Sequence, residues 1–275
     1  MGVTGVTGLD ASQGSCEHGA DAGSIPAAST MKVGSLFSGI GGLELGLERA
    51  GMEVVWQVEK NKFCQKILAK HWPGVKRYSD VETVGAHNLE SVDLICGGFP
   101  CQDISVAGKG QGLKGERSGL WFEYARIIRE LRPQYALVEN VSALTIRGLD
   151  RVVGELASLG YDSEWSCIPA SAVGAPHRRQ RTFILAYPNG EQEHPLLFAG
   201  WYKGSQAPAS GGEVDPVDSR SGGGLGPWGS EWLSEPNVGR VVDGVPNRMD
   251  RIRVLGNSVV PQVSEWIGRM IIQSA

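Results

Sequence analysis

Short apolar runs recur along the chain and predict β-strands. They are rich in Val, Ile, Leu and Phe, and polar or glycine residues bound them. Runs of this kind are typical of strands that are buried inside a sheet. The predicted strands cover residues 33–37, 54–58, 93–96, 135–138, 164–169 and 182–187.

Amphipathic stretches between these runs predict helices. In the stretch 120–131 the apolar residues fall on one helical face, and Pro133 ends the helix. The alternation of strands and helices favours an α/β fold with a doubly wound, mostly parallel sheet, whose ligands bind at the carboxyl ends of the strands. The other predicted helices cover residues 42–50, 62–71 and 149–159, with a last one after residue 261.

Three segments lack this periodicity. Residues 1–30 hold few large apolar side chains, so we expect a disordered N-terminal extension. Residues 103–119 are rich in Gly and Lys and predict a mobile functional loop. Residues 188–239 are rich in Gly, Pro, Ser and Trp and predict a small irregular module. The main domain should therefore span 31–187 and be completed by a return segment at 240–275.

The composition favours a soluble cytoplasmic protein. No apolar run approaches the roughly 18 residues of a membrane span, and the first thirty residues lack the pattern of a secretory signal. The 5 cysteines form no C-x-x-C pair and are odd in number, which argues against a disulfide framework and a structural zinc site. We expect reduced cysteines, no metal and a monomer.

The net charge of −4 is unusual for a protein that binds nucleic acid. Any interface with DNA must therefore be local. The candidates are the basic cluster at 177–181 and a series of arginines that includes Arg240 and Arg248. For the second group, a solvated surface is the alternative interpretation.

The run that ends at Gly97-Gly98-Phe99-Pro100 presents Cys101 at the end of a predicted strand. Two glycines and a proline after an apolar run are suited to directing a thiol outward. The alternative for a single cysteine is a small buried hydrophobic residue. Cys101 is therefore a candidate nucleophile whose role depends on residues elsewhere in the chain.

Two features near the start of the fold are suited to a nucleotide-like ligand. The first strand breaks into a glycine turn at 38–42 that can bring backbone N–H groups to a ligand. Glu59 follows the second strand, where doubly wound sheets contact ribose hydroxyls. A solvated carboxylate at a strand end is the alternative for Glu59.

Taken together and in this order, the residues from Met31 to Ile272 outside the 188–239 module resemble the cytosine-5 DNA methyltransferases. The resemblance is carried by five blocks in the order of that family. The blocks are Phe37-Ser38-Gly39-Ile40-Gly41-Gly42, Gly98-Phe99-Pro100-Cys101-Gln102, Glu139-Asn140-Val141, His177-Arg178-Arg179-Gln180-Arg181 and Gly256-Asn257-Ser258.

The resemblance implies methyl transfer through a covalent intermediate. Cys101 would add to C6 of cytosine, and a protonated Glu139 at ring nitrogen N3 would neutralise the charge that develops. By motif position, Arg181 would contact the O2 carbonyl and Arg179 would support the nucleophile loop. A pair of phosphate-contacting arginines is the alternative for these two.

The resemblance also implies S-adenosylmethionine as the cofactor. Glu59 would bind the ribose hydroxyls and Asp80 the adenine amino group. Lys60 stands where many relatives have a tryptophan that stacks on adenine, and Val81 or Trp56 could compensate. The residues implied for the cofactor site are Phe37, Gly39, Ile40, Gly41, Gly42, Glu59, Asp80, Pro100, Leu120, Asn257 and Ser258.

The implied partner is double-stranded DNA, from which the target cytosine must be flipped out. The 188–239 module would recognise a short target sequence, and Gln102 and Ser105 could contact DNA as the 103–119 loop closes. A cognate restriction endonuclease is a further partner that the resemblance allows.

Three other functions remain open. An RNA cytosine-5 methyltransferase would share the motifs. A catalytically silent DNA-binding homologue would lose Cys101 or Glu139, and both are present. A nucleotide-dependent oxidoreductase could share the first strand, turn and helix but has no use for Pro100-Cys101-Gln102 with Glu139.

Overall fold

The computed structural model describes Met1 and residues 30–100, 119–190, 198 and 254–274. Within these residues, strands and helices alternate through the first five strands as the sequence predicts, except that only a 3-10 helix at Val81–Thr83 separates the third strand from the fourth. The strands are β1 (Lys32–Leu36), β2 (Glu53–Val58), β3 (Lys76–Tyr78), β4 (Leu94–Gly98), β5 (Tyr135–Val141), β6 (Tyr161–Ile168) and β7 (Arg181–Pro188). The helices are α1 (Gly42–Arg49), α2 (Lys62–His71), α3 (Gly119–Leu131), α4 (Leu144–Arg147), α5 (Leu149–Ser158) and α6 (Pro261–Ser274).

The strands form one seven-stranded sheet in the order β3-β2-β1-β4-β5-β7-β6. Neighbouring strands from β3 to β5 are parallel, whereas β7 runs antiparallel to both β5 and β6. The predicted doubly wound, mostly parallel α/β fold is therefore confirmed. The chain order reverses between β1 and β4, and a crevice for ligands opens at such a switch point.

Helices cover both faces of the sheet. On one face, α3 and α5 bury Tyr124, Ile128 and Val152 against the apolar side of the central strands. On the other face, Leu47 of α1 and Ile267 of α6 belong to a second buried layer. The strands are therefore buried on both sides, which explains why they are nearly continuous apolar runs.

Helix α6 brings the C-terminal segment back against α1. The contact is close because Gly46 has no side chain: a Cβ there would lie 2.0 Å from Ser264 Oγ. The Ser264 hydroxyl donates a hydrogen bond to the carbonyl of Gly42 at 3.1 Å. The segment just before α6 is thereby held beside the glycine turn that follows β1.

The structure corrects several details of the sequence interpretation. The short helix α4 was not predicted, and β5 continues to Val141, beyond the predicted 138. Strand β3 was not predicted, because its three residues are too few to show a period. Strand β6 begins at Tyr161, earlier than the predicted 164. Within the described residues, no helix has both the length and the apolar character needed to cross a membrane.

Candidate active site

A cavity of about 560 Å³ opens at the carboxyl ends of β1, β2, β4 and β5. This volume lies within the range of small-molecule sites, which is roughly 300–1,000 Å³. The turn after β1 and Glu59 line one part of the cavity, and Glu139 and Arg181 line another. One cavity therefore brings together the two groups of residues that the sequence analysis treats separately.

The turn after β1 depends on glycine. Gly39 has φ 57° and Gly41 has φ 88°, a region that side chains rarely adopt. A Cβ at Gly41 would lie 2.3 Å from the ring of Trp72, and one at Gly42 would lie 2.7 Å from the carbonyl oxygen of Val259. Phe37 also has a positive φ, 55°, although it is not glycine. The turn is therefore tightly bent and closely packed against its neighbours.

Glu59 at the end of β2 faces this turn. Its Oε2 accepts a hydrogen bond from Gly39 N at 2.7 Å, and its Oε1 accepts one from Asn61 N at 2.6 Å. Burial raises the pKa of Glu59, and the two N–H donors oppose that effect. The backbone N–H of Lys60 also acts on Glu59 as a hydrogen-bond partner. A carboxylate has about four acceptor sites, so Glu59 can still accept a hydrogen bond from a hydroxyl group of a ligand.

Asp80 lies farther along the same side of the cavity. It accepts hydrogen bonds from Glu82 N at 3.1 Å and from Lys60 Nζ at 3.3 Å. The bond from Glu82 is the main cause that lowers the pKa of Asp80. The Lys60 side chain is 82% exposed, so this ion pair lies at the rim.

Val81 and Trp56 are the two residues that the sequence offers in place of an aromatic ring at Lys60, and they lie in different surroundings. Val81 lines the cavity. Trp56 instead lies in the core, where its Nε1 donates to the carbonyl of Glu90 at 3.0 Å and its ring fills the space above Gly34. The suggestion that Trp56 compensates is therefore wrong.

Glu139 lies in β5 at the other end of the cavity. Its Oε1 lies 3.1 Å from Arg181 Nε, and the two side chains are 9% and 17% exposed. Burial raises the pKa of Glu139 to about 7, although the charges of Arg181 and Arg179 oppose the shift. A carboxyl that titrates near neutral pH can both donate and accept a proton under physiological conditions.

The antiparallel direction of β7 explains how Arg181 reaches Glu139. Arg181 is the first residue of β7 and pairs with Val141 near the end of β5. The start of an antiparallel strand lies at the same edge as the carboxyl ends of its parallel neighbours. Arg181 therefore enters the cavity although it begins its strand.

Two residues link β5 to the turn that precedes Cys101. Gly98 pairs with Glu139, and a Cβ at Gly98 would lie 2.4 Å from Glu139 Oε2. The Asn140 side chain donates a hydrogen bond to the carbonyl of Phe99 at 3.0 Å. Asn140 was not among the predicted site residues. Its position next to Glu139 in the third block is the sequence feature that could have indicated it.

Arg179 contacts the C-terminal segment. Its Nε donates to the carbonyl of Ser258 at 3.0 Å, and its Nη2 donates to the carbonyl of Gly256 at 2.7 Å and also to that of Ser258. Asn257 and Ser258 line the cavity. The described contacts of Arg179 thus hold the wall of the cavity, whereas support of the nucleophile loop stays a prediction.

The predicted residues fall into two groups. Every residue that the resemblance implies for the cofactor lines the cavity except Gly41, which supports the turn from behind. Their roles remain predictions. Of the predicted catalytic residues, Glu139 and Arg181 line the cavity and Arg179 holds its wall. Cys101, Gln102, Ser105, Arg240 and Arg248 lie outside the described residues, as does nearly all of the 188–239 module.

One family model and several curated proteins match this chain. The family model described as C-5 cytosine-specific DNA methylase matches residues 31–209. The Type II methyltransferase M2.BsuMI of Bacillus subtilis (strain 168) is 38% identical over 164 residues, which are 57% of this chain and 42% of that protein. The Type II methyltransferase M.HhaI of Haemophilus parahaemolyticus is 32% identical over 158 residues, which are 56% of this chain and 48% of that protein.

A solved structure shows the same fold. The crystal structure of the S. pombe Dnmt2 methyltransferase aligns with 65% of this chain and 57% of its own, at 20% identity and a TM-score of 0.53. The chain spans about half the length of the curated relatives that it matches. In the described part of the chain, no cluster of His, Cys, Asp and Glu could hold a metal ion.

Proposed function

Because this chain belongs to the C-5 cytosine-specific DNA methylase family, we propose that it methylates C5 of cytosine in double-stranded DNA. S-adenosylmethionine would supply the methyl group from its sulfonium centre. The observation that carries the proposal is the position of the Glu139–Arg181 pair in the same cavity as Glu59 and the glycine turn. A base and a nucleoside-like methyl donor can meet in such a cavity.

Cys101 and Glu139 carry out the first step. The Cys101 thiolate forms a bond to C6 of the flipped cytosine, and the electrons of the C5–C6 double bond move towards C5. Glu139 donates its proton to N3, and Arg181 stabilises the O2 carbonyl. The pKa of about 7 supports this role, because a large fraction of Glu139 is protonated at neutral pH.

The second step restores the ring. C5 would take the methyl group from the sulfonium, whose bonding electron pair stays on sulfur as the thioether of S-adenosylhomocysteine. The C5 hydrogen would then leave as a proton taken up by water, and the bond between C6 and sulfur would break. The C5–C6 double bond re-forms, Cys101 regains its thiolate, and the proton on N3 returns to Glu139. The reaction needs no oxidant or reductant.

The cofactor would be held along the cavity from the glycine turn to Asp80. Glu59 would accept hydrogen bonds from the ribose hydroxyls, and Asp80 would accept one from the adenine amino group. Asn257 and Ser258 would close the cavity beside the glycine turn. These groups suit a nucleoside with a charged amino-acid tail.

The remaining predictions concern DNA and domain organisation. Residues 31–187 and 240–275 would form the catalytic domain, and 188–239 would recognise the target sequence. Gln102, Ser105, Arg240 and Arg248 would contact DNA. The protein would act as a monomer in the cytoplasm of a bacterial or phage-infected cell, with a cognate restriction endonuclease as its biological partner.

The proposal is tested by incubating the purified protein with tritium-labelled S-adenosylmethionine and DNA from a methylation-free host. We expect label in double-stranded DNA and protected cytosines at one short sequence after bisulfite sequencing. Glu139→Gln should lose this activity, whereas Glu155→Gln, remote from the cavity on α5, should keep it. Label that enters RNA but not DNA would contradict the proposal.

A further inference from the structure

Glu44 is a buried acid that the proposed reaction does not use. It lies in the first turn of α1, beneath the glycine turn, and its exposure is 0%. Within the described part of the chain, neither of its carboxyl oxygens makes a hydrogen bond of normal geometry. Buried polar groups are nearly always paired, and leaving one unpaired destabilises the fold. Such a residue calls for a functional reason.

Two hydroxyl groups separate Glu44 from the cofactor cavity. Ser35 and Ser38 are close enough to act on the pKa of Glu44 as hydrogen-bond partners. The Ser38 hydroxyl donates to Ser35 Oγ at 3.0 Å, and Ser38 itself lines the cavity. Glu44 therefore does not line the cavity itself but lies behind Ser38, which does.

The surroundings of Glu44 favour its neutral form. The pKa of Glu44 is raised to about 7, mainly by burial; the hydroxyls of Ser35 and Ser38 oppose this shift, and the charge of Glu59 adds to it. The buried thiol of Cys96 in β4 also lies near Glu44, whose charge contributes to raising the pKa of that thiol. On α6, the carboxylate of Glu265 is already paired with Arg269 at 2.7 Å. The charged group that acts on Glu44 is therefore the carboxylate of Glu59, which repels the ionised form of Glu44.

We propose that Glu44 is a positioning residue whose neutral carboxyl closes a hydrogen-bonded ring with Ser35 and Ser38 and so fixes the cofactor turn. Glu44 donates its proton to Ser38 Oγ, Ser38 donates to Ser35 Oγ, and Ser35 donates back to the second oxygen of Glu44. Each hydroxyl then has a donor and an acceptor. The inference rests on the proposed function, because it concerns binding of S-adenosylmethionine.

The turn needs support from this side. Phe37 and Gly39 both have positive φ angles, so the turn is held in a conformation that is unfavourable for Phe37. Glu59 holds Gly39 from the cavity side but must also receive the ribose. The ring formed by Glu44, Ser35 and Ser38 holds Ser38 from below, where the cofactor does not compete.

Ionisation of Glu44 breaks the ring. A carboxylate is only an acceptor, so the bond from Glu44 to Ser38 is lost and the ring opens, although Ser38 can still donate to Ser35 and Ser35 to the carboxylate. The affinity for S-adenosylmethionine should therefore fall as the pH rises through about 7. Glutamine can close the same ring with its amide and cannot ionise, so Glu44→Gln should remove this pH dependence.

The test measures the Kd of S-adenosylmethionine by calorimetry at pH 6 and pH 8.5. Glu44→Leu should bind about tenfold more weakly at pH 6. Glu44→Gln should match the parent at pH 6 and bind more tightly than the parent at pH 8.5. Glu48→Gln makes the same substitution one turn along the same helix, at a partly exposed position, and should bind as the parent does at both pH values.

Thermal unfolding separates positioning from a general structural role. The folded protein holds the proton of Glu44 more strongly than the unfolded chain, so this residue's contribution to stability is lost as the pH rises through about 7. The Tm of Glu44→Leu relative to the parent should therefore increase from pH 5 to pH 8.5 while its affinity stays weak. If Glu44 had only a structural role, the affinity of Glu44→Leu for S-adenosylmethionine would recover as its relative Tm rises.

Several results would overturn the inference. A Kd of Glu44→Leu within twofold of the parent would show that Glu44 does not hold the turn. If Glu44→Leu does not fold, the pH profile of Glu44→Gln decides: a decline as steep as the parent's would place the proton on another group, such as Glu139. A parent that binds no S-adenosylmethionine would instead refute the proposed function.

Discussion

Replacing Glu139 by glutamine should make the protein more stable at high pH while it removes activity. Burial raises the pKa of Glu139 from 4.5 to about 7 despite the opposing charge of Arg181. Each pH unit between these values corresponds to 1.36 kcal/mol, so ionising Glu139 in the folded protein costs about 3 kcal/mol. Glutamine has the same shape, keeps an acceptor for Arg181 and does not ionise.

The sign of the pH dependence follows from the raised pKa. The folded protein binds the proton more strongly than the unfolded chain, so the contribution of Glu139 is fully present below about pH 4.5 and lost by about pH 7. Glu139→Gln should match the parent near pH 4.5. Above pH 7 it should be more stable by a free energy of unfolding approaching about 3 kcal/mol.

Urea unfolding followed by tryptophan fluorescence at pH 4.5 and pH 8 measures this difference. The same variant should bind S-adenosylmethionine normally and methylate DNA about 10²–10⁴-fold more slowly, the usual effect of losing an acid–base group. A variant less stable than the parent at pH 8 would show that the ion pair with Arg181 outweighs burial. A methylation rate within threefold of the parent would remove Glu139 from the mechanism.

Three other predictions concern the cofactor wall and the domain boundaries. Arg179→Met removes charged donors to two carbonyls and should weaken S-adenosylmethionine binding about 10–100-fold in calorimetry, whereas the exposed Arg178→Met should not. A protein that starts at Met31 should keep its Tm and methylation rate; a loss of several degrees would show that residues 1–30 pack on the fold. Exchanging 188–239 for the segment of a relative should change the methylated sequence in bisulfite data without changing cofactor affinity, and unchanged specificity would place base recognition elsewhere.

The sequence predicts the parts of the site that depend on local pattern. Glu59 follows the buried strand β2, and ligands of a parallel sheet bind at the carboxyl ends of its strands. The glycine turn is visible because positive φ angles require glycine at two of its positions. Asp80 follows β3, which the pattern does not predict, so only the family resemblance indicated it.

Contacts between distant segments could not be predicted in the same way. The meeting of Arg181 with Glu139 depends on the antiparallel direction of β7, and apolar runs do not encode direction. Arg179 reaches carbonyls in the segment 256–258, which no local period relates to it. Trp56 looks available for stacking in the sequence, but its ring fills the space left by Gly34. Packing between elements decides all three.

The covalent step is the central claim, and DNA with 5-fluorocytosine at the target position tests it. Fluorine cannot leave C5 as a proton does, so the ring should remain bonded to the enzyme after methyl transfer. We expect a denaturant-resistant protein–DNA adduct that forms only with S-adenosylmethionine, with Cys101 in the linked peptide. Cys101→Ser should bind DNA without forming the adduct, because a hydroxyl is a far weaker nucleophile than a thiolate.

Two other cysteines provide controls for this measurement. Cys167→Ser should still form the adduct, since Cys167 lies in β6 with its Sγ 3.4 Å from Thr182 Oγ1. Cys96 is fully buried in β4, and burial raises the pKa of its thiol, which suits it poorly to attack. We expect the DNA to be linked at Cys101 alone. Methylation of ordinary DNA without any adduct, or linkage at Cys96, would contradict it.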